Sequence, residues 1–320
     1  MGKKLDEALA VLNGLVGDHL ARTGNGLATE MAFYRAGAAL KLKRDALQRV
    51  MTNPQARVIV LVHGVMCTEA IWSFPDQPEQ DYGSLLERDL GFTPLYVRYN
   101  SGASIVENGA HLARLLEGLL SAYPVPIEEL VLAGYSMGGL LVRRACRVAE
   151  LEQLSWLKLV KRAFYVGTPH LGAPAERMGR AVSALLRAID DPYTRLISEL
   201  SDLRSQGIRD LGEAHLHDES DEARLVRSLR EPQHPLPLLP SIKHHLIAGT
   251  LTAHDAIAWL LGDSLVPLTS ATWRTREPNA VLPIEQIKVL NGLNHIVLAH
   301  HDDVYAQLRS WLDDQQEIGT

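Results

Sequence analysis

A serine lies between closely spaced glycines in the segment Gly134-Tyr-Ser136-Met-Gly138, which follows a short apolar run and precedes a helix-like segment. Small residues two positions before and after a serine let the backbone turn tightly between a strand and a helix, so that the hydroxyl projects outward. The helix that begins there directs free amide N–H groups, and the positive end of its dipole, towards negative charge beside the serine. We therefore predict that Ser136 is the nucleophile of an acyl-transfer reaction.

A serine hydroxyl is a weak nucleophile at neutral pH, so it needs a histidine as base and an acid that holds the histidine in the right tautomer. His295 is the predicted base, because it lies in a turn-rich loop between the last predicted strand and the last predicted helix. Asp263 is the predicted acid, since its glycine-bounded loop lies between two β-rich segments, and Asp255 is the alternative. The chain order serine, acid, histidine is the one expected around a serine on a strand-turn-helix motif.

Two backbone N–H groups are predicted to bind the oxyanion that forms when the serine attacks. One belongs to Met137, the residue after the nucleophile, and the other to Val65, which follows Gly64 in the loop after the first strand. Such donors stabilise the charge of the tetrahedral intermediate. His63 precedes the serine in the chain at a strand end, and we expect it to brace this loop or to pack rather than act as a base.

The substrate pocket is predicted from residues beside these loops. Met66 follows the predicted oxyanion donor, and His170 and Leu171 lie in the segment Gly167-Thr-Pro-His-Leu-Gly172 after a predicted strand. A turn held by proline and glycine explains the composition of that segment equally well. No metal or cofactor site is predicted, because the His- and acid-rich stretch at 215–222 has no spacing that fixes a coordination geometry.

Short β-branched runs alternate with helical patterns from residue 57 onward, which is typical of parallel βαβ units. The predicted strands are 57–62, 93–98, 129–133, 162–166, 245–248 and 287–290, and the predicted helices are 80–89, 104–121, 138–149, 252–261 and 301–313. Residues 56–320 are therefore predicted to form one α/β domain with a doubly wound, mostly parallel sheet. The segment 172–242 interrupts the alternation, and we expect it to be a helical cap over the site.

Residues 1–55 are predicted to form an N-terminal helical hairpin packed on this domain. Apolar residues recur every three or four positions over 4–20 and again over about 28–50. The second helix carries five basic residues against one acid, which is compatible with peripheral membrane contact; a solvated face on a packed helix is the alternative. The five are Arg35, Lys41, Lys43, Arg44 and Arg49.

Composition bounds the class of partner and the compartment. The chain of 320 residues is 46% hydrophobic and carries a net charge of −6, which argues against nucleic acid as a partner. The N-terminal residues lack the apolar stretch of a secretory signal, and Cys67 and Cys146 are the only cysteines. We therefore expect a cytoplasmic protein whose cysteines are small buried side chains rather than a disulfide.

Five motifs, in chain order, resemble those of the lipase-like serine esterases of the α/β-hydrolase superfamily, with bacterial triacylglycerol lipases and the α/β domain of GPI inositol-deacylases as the nearest branches. They are His63-Gly-Val-Met66, Gly134-Tyr-Ser-Met-Gly-Gly139, Gly167-Thr-Pro-His-Leu-Gly172, Gly262-Asp-Ser-Leu-Val-Pro267 and Asn294-His295. The resemblance implies the α/β-hydrolase fold, with Ser136, Asp263 and His295 as nucleophile, acid and base, and with Val65 and Met137 as oxyanion donors. Secreted bacterial lipases of this kind place a calcium-binding aspartate two residues after the histidine; Val297 stands there in this chain, so no calcium site is expected.

These observations predict a hydrolase that cleaves short to medium acyl esters, or a lipid substrate, through an acyl-enzyme. An acyltransferase or a thioesterase would use the same three side chains, because the tetrahedral intermediates need the same groups. A non-catalytic scaffold that binds a protein or a membrane is the alternative from another class. Labelling of Ser136 by a fluorophosphonate distinguishes the enzyme from the scaffold.

Overall fold

The strands that carry the predicted site belong to one sheet, whose central members are apolar on both faces. The computed structural model describes residues 2–173, 205–213, 236–252, 262–273 and 284–313. Within these residues the strands are β1 (Ala32–Arg35), β2 (Ala38–Ala39), β3 (Arg57–Val62), β4 (Ser73–Phe74), β5 (Gln77–Asp81), β6 (Thr93–Arg98), β7 (Glu129–Tyr135), β8 (Val160–Val166), β9 (Lys243–Thr250) and β10 (Ile284–Asn291).

The order of strands across the main sheet is β10-β9-β8-β7-β3-β6-β1-β2. The strands from β10 to β6 pair in parallel, whereas β1 pairs antiparallel with both β6 and β2. Strands β4 and β5 form a separate antiparallel pair. Because the carboxyl ends of parallel strands meet at one edge, the loops after β3, β7, β8, β9 and β10 gather at a common rim.

Helices cover both faces of the sheet. The described helices are α1 (Lys3–Arg22), α2 (Arg44–Val50), α3 (Tyr82–Leu90), α4 (Ile105–Ala122), α5 (Met137–Leu151), α6 (Gln206–Glu213), α7 (Leu268–Ala271) and α8 (Asp302–Leu312). Val58, Val60 and Val62 of β3 share an apolar cluster with α4 and α5, whereas Ile59 and Leu61 share another with α3 and α8. This alternation is the doubly wound α/β arrangement that the sequence predicts.

The predicted strands, and the predicted helices at 80–89, 104–121, 138–149 and 301–313, are confirmed with small differences at their ends. Strands β3 and β6 have the predicted bounds, whereas β7 to β10 are each two to four residues longer than predicted. Most of the added residues are polar or lie beside a glycine, where periodicity gives no signal, whereas Val160 and Ile284 are apolar residues at the starts of β8 and β10. Both cysteines are free; Cys146 is buried, as expected, whereas Cys67 is only half-buried.

The N-terminal helical hairpin is wrong in its second half. Helix α1 forms as predicted, but residues 32–39 form a β-hairpin and only Arg44–Val50 is helical. Ala36 and Gly37 have φ of 49° and 74°, which suit a two-residue hairpin turn and break a helix. Phe33 is fully buried because β1 extends the sheet next to β6, so tertiary pairing replaced the helical pattern.

The five basic residues of that segment therefore do not share one helix face. Arg35 pairs with Glu87, Arg49 pairs with Asp45, and Arg44 donates a hydrogen bond to the Pro124 carbonyl. The arrangement on which membrane contact was expected is thus not formed. No helix within the described ranges has the length and apolar character needed to cross a bilayer.

The predicted cap and the alternative acid lie largely outside the described residues. Of the segment 172–242, the structure describes residues 172–173, 205–213 and 236–242, and α6 is the helix within it. The predicted helix at 252–261, which contains Asp255, also falls outside, as does the acidic stretch at 215–222. The expectation of a cap therefore stays a prediction.

Candidate active site

Ser136 lies at the turn from β7 into α5 in a backbone conformation that few residues adopt. Its φ is 53° and its ψ is −124°, and its N–H donates a hydrogen bond of 2.8 Å to the Val166 carbonyl of the neighbouring strand. A positive φ in a residue other than glycine is strained, and such strain persists only where the surroundings hold it. The turn thus presents the Ser136 side chain at the rim where the parallel strands end.

The residues two positions before and after Ser136 must be glycine, because other backbone segments lie very close to them. A Cβ atom placed on Gly134 would lie 2.4 Å from the backbone of Gly139, and one placed on Gly138 would lie 2.2 Å from the Val62 carbonyl oxygen. Both distances are far below van der Waals contact. The glycine spacing read from the sequence therefore reflects close packing of the turn against β3.

The structure brings the three side chains predicted to act together into one hydrogen-bonded chain. The Nε2 atom of His295 lies 2.9 Å from Oγ of Ser136, and its Nδ1 atom lies 2.7 Å from Oδ2 of Asp263. Because a carboxylate only accepts, Nδ1 carries the proton, which leaves Nε2 to accept from the serine hydroxyl. This is the tautomer that a general base for Ser136 needs.

Asp263 is fixed on both of its carboxylate oxygens. It is fully buried, and its Oδ1 atom accepts from the N–H groups of Leu265 at 3.0 Å and Val266 at 2.8 Å. Its backbone carbonyl accepts a 2.9 Å bond from the N–H of His295, so the loops that carry acid and base are also joined through the backbone. The Oδ2 atom is thereby aimed at the imidazole.

His295 is also held by Tyr135, the residue before Ser136. The hydroxyl of Tyr135 donates a 3.0 Å hydrogen bond to the His295 carbonyl, and the two rings lie with centroids 5.1 Å apart. Ser136 and His295 are only 2% and 6% exposed, so the relay is shielded from bulk water. Shielding strengthens the electrostatic interactions on which proton transfer depends.

The loop after β3, predicted to supply an oxyanion donor, lies directly beside the serine. A Cβ atom on Gly64 would lie 3.0 Å from Cβ of Ser136, which shows how closely this backbone approaches that serine. Within the described part of the chain, the N–H groups of Val65 and Met137 donate no hydrogen bond. Both groups therefore have capacity for a ligand oxygen.

His63 braces this loop, as expected from the sequence. Its ring stacks on Tyr99 with centroids 4.4 Å apart, and its Nδ1 atom donates a 2.7 Å hydrogen bond to the Gly64 carbonyl. That carbonyl and the Val65 N–H belong to the same planar peptide unit, so fixing one direction fixes the other. Burial lowers the pKa of His63 to about 4, so it is neutral at physiological pH.

Two of the three predicted substrate contacts are interior in the structure. Met66 is 3% exposed and packs against α1, and His170 is fully buried between Tyr165, Trp273 and Arg143. A fully buried histidine offers no surface to a substrate, so His170 packs rather than lines a pocket. Leu171 keeps 38% of its surface exposed and stays a predicted contact.

Arg143 is a residue of this region that the sequence did not single out. It lies two turns into α5 from Ser136, and its guanidinium packs 3.9 Å from the centroid of the Trp273 ring. It donates to the His170 carbonyl at 3.2 Å and also to the Leu236 carbonyl. Burial lowers the pKa of Arg143 to about 9. Its place directly after the apolar run Leu140–Val142 is the sequence signal that could have revealed it.

Solved structures of several hydrolases superpose on this chain. The lipase BlEst2 of Bacillus licheniformis, in its mature form, superposes with a TM-score of 0.51 at 16% identity over 81% of this chain and 94% of its own. The esterase Pf2001 of Pyrococcus furiosus gives a TM-score of 0.48 at 11% identity over 81% of this chain and 83% of its own. The type II thioesterase YbtT of the yersiniabactin pathway gives 0.41 at 18% identity over 81% and 91%.

The match to the lipase BlEst2, at 16% identity, shows a shared fold and no more. No curated protein matches the chain. Residues 59–308, which include all of the strands that carry the relay, match the model of the alpha/beta hydrolase family. The chain therefore belongs to the alpha/beta hydrolase family.

Proposed function

We propose that the protein is a serine carboxylic-ester hydrolase that works through an acyl-enzyme on Ser136. The observation that carries the proposal is the continuous relay from Oγ of Ser136 through His295 to the buried carboxylate of Asp263. A hydroxyl, a neutral imidazole and a carboxylate at these distances form the proton-transfer apparatus of a serine hydrolase.

The geometry supports the following reaction. His295 accepts the serine proton through Nε2 while Oγ attacks the ester carbonyl, and Asp263 stabilises the imidazolium that forms. The N–H groups of Val65 and Met137 hold the oxyanion, each contributing roughly 3 kcal/mol to the barrier reduction. Collapse of the intermediate breaks the ester C–O bond, and His295 gives its proton to the departing alcohol. Water, deprotonated by His295, then releases the acid from Ser136.

Apolar side chains beside the relay favour an apolar acyl group. Leu171 follows β8 at the catalytic rim, and Ile296 directly follows His295; they are 38% and 42% exposed. Large apolar surfaces next to a catalytic group gain free energy when a substrate covers them. Together with the cap predicted over the site, this supports esters of short to medium acyl chains.

Hydrolysis of p-nitrophenyl esters with two to sixteen acyl carbons tests the proposal. We expect activity on the short and medium esters, labelling of Ser136 by a fluorophosphonate, and loss of both in Ser136→Ala. Ser121→Ala, an exposed serine on α4, is the matched control and should keep full activity.

Other outcomes would redirect the proposal. Fastest turnover on the longest esters, with activation at a lipid interface, would indicate a lipase. Faster product formation with an added alcohol or a thioester donor would indicate the acyltransferase or the thioesterase. Folded protein that neither hydrolyses esters nor labels at Ser136 would contradict the proposal and favour a scaffold.

A further inference from the structure

Helix α1 packs directly on the loop that holds the predicted oxyanion donor Val65. A Cβ atom placed on Gly14 of α1 would lie 2.3 Å from Cγ of Met66 and 3.2 Å from its Cα. Gly14 is therefore the position where the helix comes close enough to touch the backbone of the residue after Val65. Helix α1 precedes the segment 59–308 that matches the family model.

The same face of α1 also packs on the loop after β6. A Cβ atom on Gly102 would lie 2.0 Å from the Asn13 carbonyl oxygen. The side-chain amide of Asn100 donates a 2.8 Å hydrogen bond to the Gly17 carbonyl. The hydroxyl of Ser101, in turn, accepts a 3.0 Å hydrogen bond from the N–H of Met66. The helix and the two loops thus form one close-packed unit.

Met66 needs such support because its backbone is strained. Its φ is 60°, a conformation that residues other than glycine seldom adopt. Strained conformations persist only where neighbours hold them. Gly14 on one side and the bond to Ser101 on the other are the contacts that hold Met66 in place. The position of Val65, its neighbour in the chain, depends on them.

Helix α1 is also held by the first residues of α6 and by Ser205, which precedes them. The hydroxyl of Ser205 donates a 2.6 Å hydrogen bond to the carbonyl of Gly14 itself, and the N–H of Gln206 donates to the Asp18 carboxylate at 3.1 Å. Gly14 therefore contacts both Ser205, within the segment 172–242, and Met66 of the loop that holds Val65. Close-packed contacts of this kind transmit small displacements rather than absorb them.

We propose that α1 is a positioning element of the active site, in which Gly14 fixes Met66 and thereby the oxyanion-binding N–H of Val65. The proposal rests on the proposed ester hydrolysis. Oxyanion donors act only when they lie within hydrogen-bond distance of the developing charge. A residue that moves the loop therefore affects the transition state and leaves the relay of Ser136, Asp263 and His295 intact.

Gly14→Ala tests the proposal, because its methyl group must push Met66 away. We expect kcat on a p-nitrophenyl ester to fall about 10-fold with KM within about twofold, since a displaced donor affects the transition state more than the bound substrate. A trifluoromethyl ketone, whose hemiketal oxygen occupies the oxyanion site, should also bind about 10-fold more weakly. In a Met66→Ala background, which removes Cγ, the same substitution should cost less.

Gly26→Ala is the matched control, since a Cβ at this exposed glycine meets nothing within 4 Å. In Gly14→Ala itself, alanine favours a helix more than glycine does. An effect confined to α1 would therefore stabilise the protein and would not lower kcat. If the wild type is active and Gly14→Ala keeps the wild-type kcat and the wild-type affinity for the ketone, the inference is overturned. A wild type without hydrolysis or labelling would instead overturn the proposed function.

Amide hydrogen exchange of the wild-type chain gives a second test that needs no variant. A fluorophosphonate on Ser136 places a phosphoryl oxygen in the oxyanion site, so exchange at 64–67 should slow. If α1 and the loop form one unit, exchange at residues 11–18 should slow with it. Slowing at 64–67 with no change at 11–18 would overturn the inference.

Discussion

The carboxylate of Asp263 holds both its own loop and the ring of His295. One carboxylate oxygen accepts from two backbone N–H groups of its own loop, and the other accepts from His295. The carboxylate is thus held as an acceptor at every bond it makes. The orienting role that we propose for Asp263 requires a group that only accepts hydrogen bonds.

Asp263→Asn is therefore expected to lower kcat by roughly 10⁴-fold while the protein stays folded. An amide has one accepting oxygen, so its NH₂ group must face either His295 or the N–H groups of Leu265 and Val266. The imidazole then loses the tautomer that accepts the serine proton. Steady-state kinetics on a p-nitrophenyl ester measure the effect, with Asp303→Asn, an exposed acid of α8, as control. Retention of a tenth of the activity or more would contradict this reading of Asp263.

The residues of the relay could be found from sequence because each has a local signal. Ser136 lies among glycines, and Asp263 and His295 lie in turn-rich loops at the ends of predicted strands. The interior position of His170 could not be found in that way. Its partners Arg143 and Trp273 are distant in the chain, and only the pairing of β8 with its neighbours brings them together. Burial of a single polar residue is a tertiary property.

At the scale of elements, the β1–β2 hairpin is the feature that the local sequence pattern did not predict. Its apolar residues happen to recur at helical spacing, and the segment is rich in alanine, which favours helix. Pairing of β1 with β6 decides the outcome, because it buries Phe33 and satisfies the edge of the sheet. The glycine at position 37 was the local sign of a turn. The parallel strands had no such conflict, since propensity and burial favour the same structure.

Ala36→Asn should stabilise the protein by about 0.5–1 kcal/mol, because Ala36 has a φ of 49° and asparagine tolerates that conformation better. Urea unfolding measures the free energy. The same change at Ala39, an exposed strand residue of the hairpin, is the control and should not stabilise. Equal effects at the two positions would show that the turn conformation is not the cause.

At the scale of the whole molecule, buried histidines make the fold sensitive to acid. His63 and His244 are nearly inaccessible, and burial lowers the pKa of each to about 4 from a usual value near 6.5. As the pH falls from 6.5 to 4, these two histidines therefore bind protons in the unfolded chain but stay neutral in the folded chain. Stability from these groups is complete above pH 6.5 and is lost as the pH falls towards 4.

Lowering the pH from 7 to 5 should thus cost roughly 2 kcal/mol for each of these two histidines. Urea unfolding at the two pH values measures the loss. His63→Asn keeps a donor near the Gly64 carbonyl, and His244→Gln keeps one near the Leu239 carbonyl, yet neither side chain titrates. The double variant should therefore lose less stability on acidification. An equal loss in wild type and double variant would rule out these histidines as its source.

The β1–β2 hairpin also limits edge-to-edge pairing between copies of the molecule. Strand β6 is a six-residue segment whose first five residues are buried, and β1 occupies the hydrogen-bonding edge that it would otherwise leave open. The sheet ends instead at β2, which has two exposed alanines and offers little template for another strand. A chain shortened by its first forty residues would expose the apolar edge of β6, and we expect that chain to aggregate.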